Sequence, residues 1–394
     1  MGDILFLAHR IPYPPDRGDK IRSWHILKAL CGFTNVHIVA LCDDNRDMAH
    51  LRFLNRHAAT IAVFPRNAER DEAVLKALLF GGSASVRAFA NRDLAAYVDD
   101  VLSEQNISTI FAFSGQMAQY VPKRLTGRRF VMDFVDMDSA KYAEWGASGG
   151  VRGAANRFEA KRLFAFERET ARRADVSLFV SEAEADLFRN QTGLGADSVR
   201  VLENGIDLAY FAPDASGPIE DNLVVFTGQM DYAPNIEAVI DFVRDVWPLV
   251  LTQAPQAKFV IVGRNPVPEV QALATDRITV TGEVADTRVW LAKAAVAVAP
   301  LKLARGVQNK VLEAMAMAKL VVASSAAAQG IDARAGRDLI VVDEPAAAAA
   351  AILHMLANPD DATKIGQAAR AQMVARYGWG AQLSDLPALV GASE

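Results

Sequence analysis

The chain has 394 residues, of which 51% are hydrophobic and 23% charged, a composition typical of folded globular proteins and not of disordered chains. Its 42 basic and 47 acidic residues leave a net charge of −5, which argues against a generally basic surface, so no nucleic-acid partner is expected. Two cysteines, Cys31 and Cys42, are too few for a disulfide framework, and no Cys/His set has zinc-ligand spacing. The length predicts two or three domains.

The first apolar run, Ile4–Ala8, ends at a histidine and an arginine and is too short for a secretory signal. No stretch of the sequence approaches about 18 consecutive apolar residues, the length that a membrane span needs. The run is therefore interpreted as a first strand. A cytoplasmic location is expected, and peripheral attachment to a membrane is the alternative.

Short apolar runs alternate with longer amphipathic segments in the first half of the chain. Strands are predicted at Ile4–Ala8, Val36–Leu41, Thr60–Phe64, Thr109–Phe113, Phe130–Val135 and Val176–Val180. Helices are predicted at Lys20–Cys31, Arg92–Glu104, Arg157–Arg173 and Glu182–Asn190. This alternation is typical of a parallel sheet that helices cover on both faces.

A polar stretch with proline and glycine, Pro213–Asn222, interrupts this pattern and is typical of a domain linker. Strands are then predicted at Leu223–Phe226, Lys258–Val262, Ile278–Val280, Val296–Pro300, Leu320–Ala323 and Leu339–Val342. Helices are predicted at Asn235–Leu251, Asp286–Ala294, Asn309–Ala318 and the alanine run 346–351. The sequence thus predicts two doubly wound α/β domains, 1–212 and 213–376, with ligands beyond the carboxyl ends of the strands and in the cleft between the domains.

The loop after the first strand contains three prolines and a glycine just before a predicted helix. A glycine there allows close backbone approach, and the free N–H groups of the helix start, with nearby cations, predict a phosphate or anion site. The alternative is a rigid loop with solvated charges, in which Asp19 caps the helix. No G-x-G-x-x-G fingerprint is present, which argues against an NAD enzyme. The candidate cleft residues of this loop are His9, Arg17, Gly18, Asp19, Lys20 and Arg22.

A second informative loop precedes the helix predicted to open near Gln308. The backbone N–H groups of Gly306–Asn309 are expected to point toward a ligand, with the helix dipole behind them. Lys310 and Glu313 are three residues apart and so lie on one face of the helix. The Lys310 cation could bind a phosphate there, and the Glu313 carboxylate could bind a ribose diol. The alternative is a surface ion pair of little energetic weight.

The run Arg305–Ala316 resembles the signature of the family-4 retaining glycosyltransferases, whose E-x7-E pattern places its second Glu in a K-x-x-E-A-M-A helix. Four further stretches are similar to family motifs and follow in the family's order, namely Leu178–Glu182, Val201–Pro213, Phe226–Asn235 and Phe259–Gly263. The resemblance covers nearly the whole chain. It implies the GT-B fold, two facing Rossmann-like domains, with a C-terminal helix at about 377–394 that packs back on the first domain.

The resemblance also implies a function. It implies retaining, metal-independent transfer of a hexosyl-type sugar, without a cofactor, from a nucleotide-diphosphate sugar of UDP or GDP type to a glycan or lipid-linked acceptor. Pro12–Ser23 and Gly306–Glu313 look most like transferases of exosortase (PEP-CTERM) exopolysaccharide systems. The implied donor-binding residues are Gly228, Gly263, Arg264, Gly306, Val307, Gln308, Asn309, Lys310 and Glu313, and the candidate catalytic residues are Asp136, Asp138, Arg305 and Lys310.

The sequence departs from the family pattern at two places. Arg305 stands eight residues before Glu313, where the family has its first Glu, and Gln229 and Asn235 stand where Arg and Lys are common. We therefore expect Arg305, Lys310 and Arg264 to neutralise the diphosphate. The departures also keep two alternatives open, a non-catalytic scaffold that has lost donor binding and a nucleotide-sugar epimerase of the same fold.

Acidic residues also follow a strand in the first half of the chain. Asp136 or Asp138 could stabilise positive charge at the anomeric carbon or position the acceptor hydroxyl. The pair also reads D-x-D, a metal motif of an unrelated single-domain transferase fold, but two-domain transferases generally work without a metal and none is expected here. The basic amphipathic segment Arg157–Arg173 is interpreted as an ordinary solvated face, because its acidic residues partly cancel the charge. Peripheral contact with the inner membrane is the alternative.

Overall fold

The computed structural model describes residues 2–15, 17–66, 77, 81–147, 149–213, 219–304 and 307–392. The chain forms two compact units, one of Met1–Asn204 with Gln382–Glu394 and the other of Gly205–Ala381. Two predicted site residues, Arg305 and Gly306, lie outside the described residues, as does half of the predicted linker.

The first unit is built on a sheet of seven parallel strands in the order β3-β2-β1-β4-β5-β6-β7. These strands are β1 (Asp3–Ala8), β2 (Val36–Cys42), β3 (Thr60–Pro65), β4 (Ile107–Phe113), β5 (Arg129–Val135), β6 (Val176–Phe179) and β7 (Val199–Val201). The residues of Ile4–Ala8 in β1 are fully buried, because helices cover a parallel sheet on both faces. The central strands therefore read as continuous apolar runs in the sequence.

Several helices of the first unit begin after a residue whose side chain caps them. The helices of this unit are α1 (Gly18–Leu30), α2 (Leu51–Leu54), α3 (Ala84–Arg87), α4 (Arg92–Glu104), α5 (Asp138–Gly146), α6 (Gly150–Arg173) and α7 (Glu182–Thr192), with 3-10 helices at Asn45–His50 and Gly115–Tyr120. In α4, the Asn91 side chain accepts a hydrogen bond from the Leu94 N–H at 3.0 Å and so caps the helix. Leu94, Val98 and Val101 then face the core at helical spacing.

The second unit repeats the plan with six parallel strands in the order β10-β9-β8-β11-β12-β13. They are β8 (Glu220–Thr227), β9 (Lys258–Val262), β10 (Ile278–Val280), β11 (Ala294–Ala299), β12 (Val321–Ala323) and β13 (Ile340–Val341). In each sheet the chain first adds strands on one side of the starting strand and then crosses to the other. Each sheet therefore has a switch point, between β1 and β4 in the first and between β8 and β11 in the second.

The helices of the second unit include one that the sequence analysis predicted as continuous. They are α8 (Ala233–Asp241), α9 (Trp247–Gln253), α10 (Pro268–Gln271), α11 (Arg288–Lys293), α12 (Asn309–Ala316), α13 (Ser325–Ala328), α14 (Pro345–Ala357) and α15 (Pro359–Gln372). The predicted helix Asn235–Leu251 is interrupted by a π-helical turn at Phe242–Val246. Pro248 has no N–H and its ring clashes with the carbonyl four residues earlier, so the helix widens just before it.

The last two helices are α16 (Trp379–Gln382) and α17 (Leu386–Leu389), and residues 382–392 belong to the first unit. The Thr109 hydroxyl donates to the Val390 carbonyl at 2.9 Å, and the Arg129 Nε donates to the Leu389 carbonyl at 2.7 Å. Leu389 and Val390 are buried. The far end of the chain thus completes the first unit beside β4 and β5.

The prediction of two α/β units with parallel, doubly wound sheets is confirmed. The sequence analysis missed β7, which has three residues, and α5 and α15, and it began α6 seven residues too late. Across the described ranges, no helix is both long enough and apolar enough to span a bilayer.

Candidate functional site

The switch point of the second sheet lies where β8 and β11 end, at Thr227 and Ala299. Loops that leave two neighbouring strands in opposite directions open a crevice there, which is where ligands bind in such sheets. The predicted donor residues Gly228 and Gly263 directly follow β8 and β9, and α12 begins after β11. The second unit therefore brings its predicted site residues to one edge of one sheet.

Gly228 and Gly263 are in closer contact than any other residue type would permit. The Gly228 N–H donates to the Val262 carbonyl at 3.0 Å. A Cβ atom on Gly263 would lie 1.6 Å from the Gly228 carbonyl oxygen, and a Cβ on Gly228 would lie 2.8 Å from Asn235 Nδ2. Two backbone segments thus meet at the edge of the crevice without side chains.

We expect Gly263→Ala to destabilise the protein by about 1–3 kcal/mol, because the added methyl group overlaps the Gly228 backbone. The measurement is urea unfolding at constant m-value. Gly380→Ala is the matched control, because a Cβ there would meet nothing within 4 Å. Equal stability of the two variants would contradict the close approach.

Lys310, in the first turn of α12, points back over this glycine turn. Its ammonium donates to Asn235 Oδ1 and lies 4.5 Å from the centre of the Phe226 ring. Asn235 is buried and its Nδ2 donates to the Gln229 carbonyl at 2.8 Å. Burial lowers the pKa of Lys310 to about 8, although the charge of Glu313 opposes this. Asn235, which the sequence analysis noted as the replacement of a basic residue, therefore positions the remaining cation.

Glu313 lies one turn further along α12 and is half-buried. Burial raises the pKa of its carboxyl to about 7, against the effect of the Lys310 charge. Within the described part of the chain, no hydrogen bond or ion pair is made by this carboxylate. A partly buried carboxylate without a donor is costly, so its oxygens are available for a ligand that supplies hydroxyl groups.

Three predicted donor residues lie at the start of α12, and Arg264 follows β9. Gln308 occupies the capping position without a side-chain cap bond, and the first N–H groups of any helix have no partner within it. Val307 and Asn309 are exposed. Arg264 is also exposed, and its carbonyl accepts from the Met230 N–H at 2.9 Å. The helix terminus thus offers donors and a positive dipole end next to Lys310.

In the first unit, His9 follows β1 at the switch point of that sheet. Its ring stacks on Phe113 at 5.7 Å, and its Nε2 lies 3.1 Å from the Asp19 carboxylate, which Arg10 also contacts. Burial alone would favour the neutral acid. Hydrogen bonds and charge from His9 and Arg10 prevail, however, and hold the pKa of Asp19 well below its usual range.

The loop cations of the first unit are largely committed to partners within it. Arg17 precedes α1 and is half-exposed, with its Nε 3.5 Å from Asp19. Lys20 is buried and donates to Asp47 at 3.0 Å. The helix begins at Gly18 without a side-chain cap, so the interpretation of Asp19 as the capping residue is wrong. Asp19 instead lies in the first turn.

Arg22 requires a further correction, because its side chain lies in the core and not at a cleft surface. It is only 1% exposed, its Nε and Nη2 donate to the Asp133 carboxylate at 2.9 and 3.1 Å, and its Nη1 donates to the Leu202 carbonyl at 2.6 Å. An arginine at this helical position faces inward because α1 packs on the sheet. Arg22 therefore ties α1 to β5.

This buried pair holds an unusual turn at the end of β5. Val135 has a φ of +69°, and the Asp136 N–H donates to the Phe134 carbonyl at 2.9 Å, a tight turn that is rare for a β-branched residue. The Asp133 carboxylate accepts from the Val135 N–H at 3.0 Å. Such strained backbone persists only where its surroundings enforce it, and it is common at functional sites.

We expect Arg22→Met to destabilise the protein by about 3–5 kcal/mol, because it leaves the fully buried Asp133 without its cation. Burial already raises the pKa of Asp133 despite Arg22, so the loss should grow as the pH rises and the carboxyl ionises. Urea unfolding at two pH values measures this. Arg46→Met, at an exposed pair with Asp44, is the control and should give no resolvable change.

The predicted catalytic acids follow that turn and share one cation. Lys141 Nζ lies 2.8 Å from Asp136 and 3.2 Å from Asp138, and the Gln116 amide donates to Asp138 at 3.2 Å. Burial favours the neutral amine, but the two carboxylates outweigh it and raise the pKa of Lys141. An ammonium group therefore bridges the two acids of the D-x-D motif.

Asp138 and Lys141 also border a cavity of about 790 Å³ in the first unit. Its walls come from α3, α5 and α6 and include Phe89, Tyr142 and Trp145. The sequence analysis missed this cavity, because its walls join α3 to α5 and α6, which begin more than 50 residues further along the chain.

The comparisons with known proteins agree on one class. The model "Glycosyl transferase 4-like domain" matches residues 24–205, and "Glycosyl transferases group 1" matches residues 221–358. Among solved structures, HepE of Anabaena in complex with UDP is 16% identical with a TM-score of 0.65, over 99% of this chain and 100% of that one. The sucrose-phosphate synthase of Thermosynechococcus elongatus is 18% identical with a TM-score of 0.62, over 99% and 98%. A search of curated proteins gave no match.

Proposed function

Because this chain belongs to the GT-B glycosyltransferases, with one family model matched in each half, we propose that it transfers a sugar from a nucleotide-diphosphate sugar to a glycan or lipid-linked acceptor. The observation that carries the proposal is the half-buried Glu313 carboxylate, which lacks a partner in the described residues and lies beside the cationic Lys310 at the switch point of the second sheet. HepE was solved with UDP and with UDP-glucose, which supports a UDP-type donor. GDP is the alternative.

We assign the binding of the donor to the second unit. Glu313 accepts hydrogen bonds from the ribose hydroxyls, and the N–H groups of Val307–Asn309 bind the diphosphate at the start of α12. Gly228 and Gly263 allow the turns after β8 and β9 to pack side by side at the edge of this site. Lys310 neutralises the diphosphate as it leaves, together with Arg305 and Arg264, whose assignments rest on the sequence and on the exposure of Arg264.

The first unit is assigned the acceptor. In transfer, the bond between the anomeric carbon and the diphosphate oxygen breaks, a bond to the acceptor oxygen forms, and the acceptor proton passes to the departing diphosphate. Asp136 and Asp138 stabilise the positive charge that develops at the anomeric carbon, and Lys141 holds the two carboxylates together. We propose that the transfer retains the configuration of the anomeric carbon. We also propose that it requires no metal, because Lys310 and the helix terminus supply the positive charge that a metal would bring.

The first test is a thermal-shift panel of UDP, GDP, ADP, dTDP and their sugar conjugates. A nucleotide at 100 times its Kd should stabilise the protein by about 2.7 kcal/mol. Turnover with the selected donor is then followed by NMR of the anomeric proton, with and without EDTA. A flat panel on folded protein would favour a scaffold without donor binding, and conversion of the free donor without acceptor would favour an epimerase.

Nucleotide affinity should be greatest between about pH 7 and 8. Glu313 accepts from the ribose only when ionised, so affinity falls as the pH drops through about 7. Lys310 attracts the diphosphate only when protonated, so affinity falls as the pH rises through about 8. Calorimetric titration of UDP from pH 5.5 to 9.5 measures this, and a flat profile would remove both residues from the nucleotide site.

We further propose that the protein acts in exopolysaccharide synthesis on the cytoplasmic face of the inner membrane. The support is local: Val151 and Phe158 on α6 are exposed at 89% and 46%, among basic residues of the same helix. Such a mixture favours a membrane interface. Co-sedimentation with anionic vesicles tests the contact, and recovery of all the protein in the supernatant at low salt would contradict it.

A further inference from the structure

The cavity of the first unit has walls whose polar groups are already satisfied by one another. The Glu159 carboxylate accepts from the Ala84 and Ser85 N–H groups at 3.0 and 2.9 Å, and so caps α3. The Ser85 hydroxyl donates to the Tyr142 hydroxyl at 2.9 Å. These groups have little capacity left for a ligand, so the walls offer mainly the apolar surface of alanine and aromatic side chains.

One end of the cavity differs from the walls. Asp138 and Lys141 lie there, directly after the strained turn of β5, and Gln116 donates to Asp138 at 3.2 Å. Arg152, which also lines the cavity, is an exposed cation at the start of α6. A volume of about 790 Å³ is within the range of sites for small organic ligands. The cavity thus combines a few charged groups with mainly apolar walls.

The border of the cavity is apolar as well. Trp145 and Phe158 both line it and are 54% and 46% exposed. Arg162 stacks on Phe158, with its guanidinium 3.9 Å from the ring centre. Large exposed apolar side chains beside cations are suited to an amphipathic ligand that carries negative charge.

We infer that this cavity binds the apolar chain of an amphipathic acceptor, whose phosphate group lies among the border cations and whose hydroxyl end lies at Asp138 and Lys141. The inference rests on the proposed transferase function and selects a lipid-linked acceptor over a free glycan. Isoprenoid phosphates and acyl glycerophosphates share this chemistry. Alanines 77, 84, 88 and 155 line the cavity, and apolar surface of this kind accommodates a hydrocarbon chain better than a second sugar.

The test is calorimetric binding of farnesyl phosphate to the full chain, below its micelle concentration, with inorganic phosphate as the probe without a chain. Ala155→Trp places a large side chain of α6 in the cavity and should weaken the binding of farnesyl phosphate at least tenfold. Ala154→Trp, the neighbouring exposed alanine that does not line the cavity, is the matched control and should bind as the wild type does. Lauroyl glycerophosphate is titrated in the same way, and the lipid that binds more tightly identifies which of the two lipid classes the cavity takes.

Ala88→Trp, on the opposite wall, should reproduce the loss, which guards against a local effect on α6. Equal farnesyl phosphate affinity in the wild type and both cavity-filling variants would overturn the inference, as would inorganic phosphate binding as tightly as farnesyl phosphate. The UDP thermal shift is recorded on each protein. An intact UDP shift without chain binding refutes only the cavity assignment, whereas a missing UDP shift in the wild type refutes the transferase proposal itself.

Discussion

Lys310→Met should lower kcat/KM about 100- to 1,000-fold. A preorganised cation or donor at a leaving oxyanion commonly contributes that factor, because it acts where charge develops in the transition state. Lys310 is held for this role by Asn235 and by the face of Phe226, so it needs little reorganisation during the reaction. Initial rates with the donor selected by the nucleotide panel measure the effect.

Lys302→Met is the matched control, because Lys302 is an exposed lysine of the same unit that pairs with Asp241. Its rates should equal those of the wild type. If Arg305 shares the charge, the double variant Arg305→Met/Lys310→Met should be slower than either single variant. Wild-type rates in the double variant would discard the assignment of both residues.

Glu313→Gln should weaken the binding of UDP about 10- to 100-fold. Hydrogen bonds to a charged acceptor contribute about 1.5–3 kcal/mol, and an amide has one acceptor oxygen where the carboxylate has two. The same change should stabilise the free protein. Burial raises the pKa of Glu313 to about 7, so folding disfavours its ionised form. This cost grows as the pH rises from the usual carboxyl range to about 7, and it is fully present above that value. A rise in Tm on the order of 2 °C at pH 8 is expected.

The two effects have opposite signs, and that combination distinguishes a ligand site from a structural role. Calorimetry with UDP and thermal unfolding without it measure them on the same sample. Glu237→Gln, an exposed acid on α8, is the control and should change neither quantity. A Glu313→Gln variant that loses stability and keeps its UDP affinity would show that the carboxylate supports the fold instead.

Much of the fold could be predicted because strands buried on both faces leave continuous apolar runs. Lys258–Val262 and Ile278–Val280 were predicted with the bounds that the structure shows, and so was the helix Arg92–Glu104. The misses have local causes. Val199–Val201 is too short to show a period, and the π-helical turn before Pro248 arises from backbone geometry that apolar spacing does not record.

The candidate site was less predictable than the fold. Gly228, Gly263, Lys310 and Glu313 stand in motifs, so their proximity could be expected, but the buried state of Arg22 could not. The sequence predicts a surface cation for an arginine in a helical turn next to a loop. Arg22 is a core residue only because it pairs with Asp133, which is 111 residues further along the chain. The cavity walls share this long-range origin.

The return of residues 382–392 to the first unit has a consequence for synthesis on the ribosome. The second unit is one continuous stretch of chain, Gly205–Ala381, whereas the first is completed only when Leu389 and Val390 reach Arg129 and Thr109. Domains generally fold as they emerge, from the N-terminus onward. Here the domain that is translated first should be the last to reach its final stability, after residues 382–392 have left the exit tunnel.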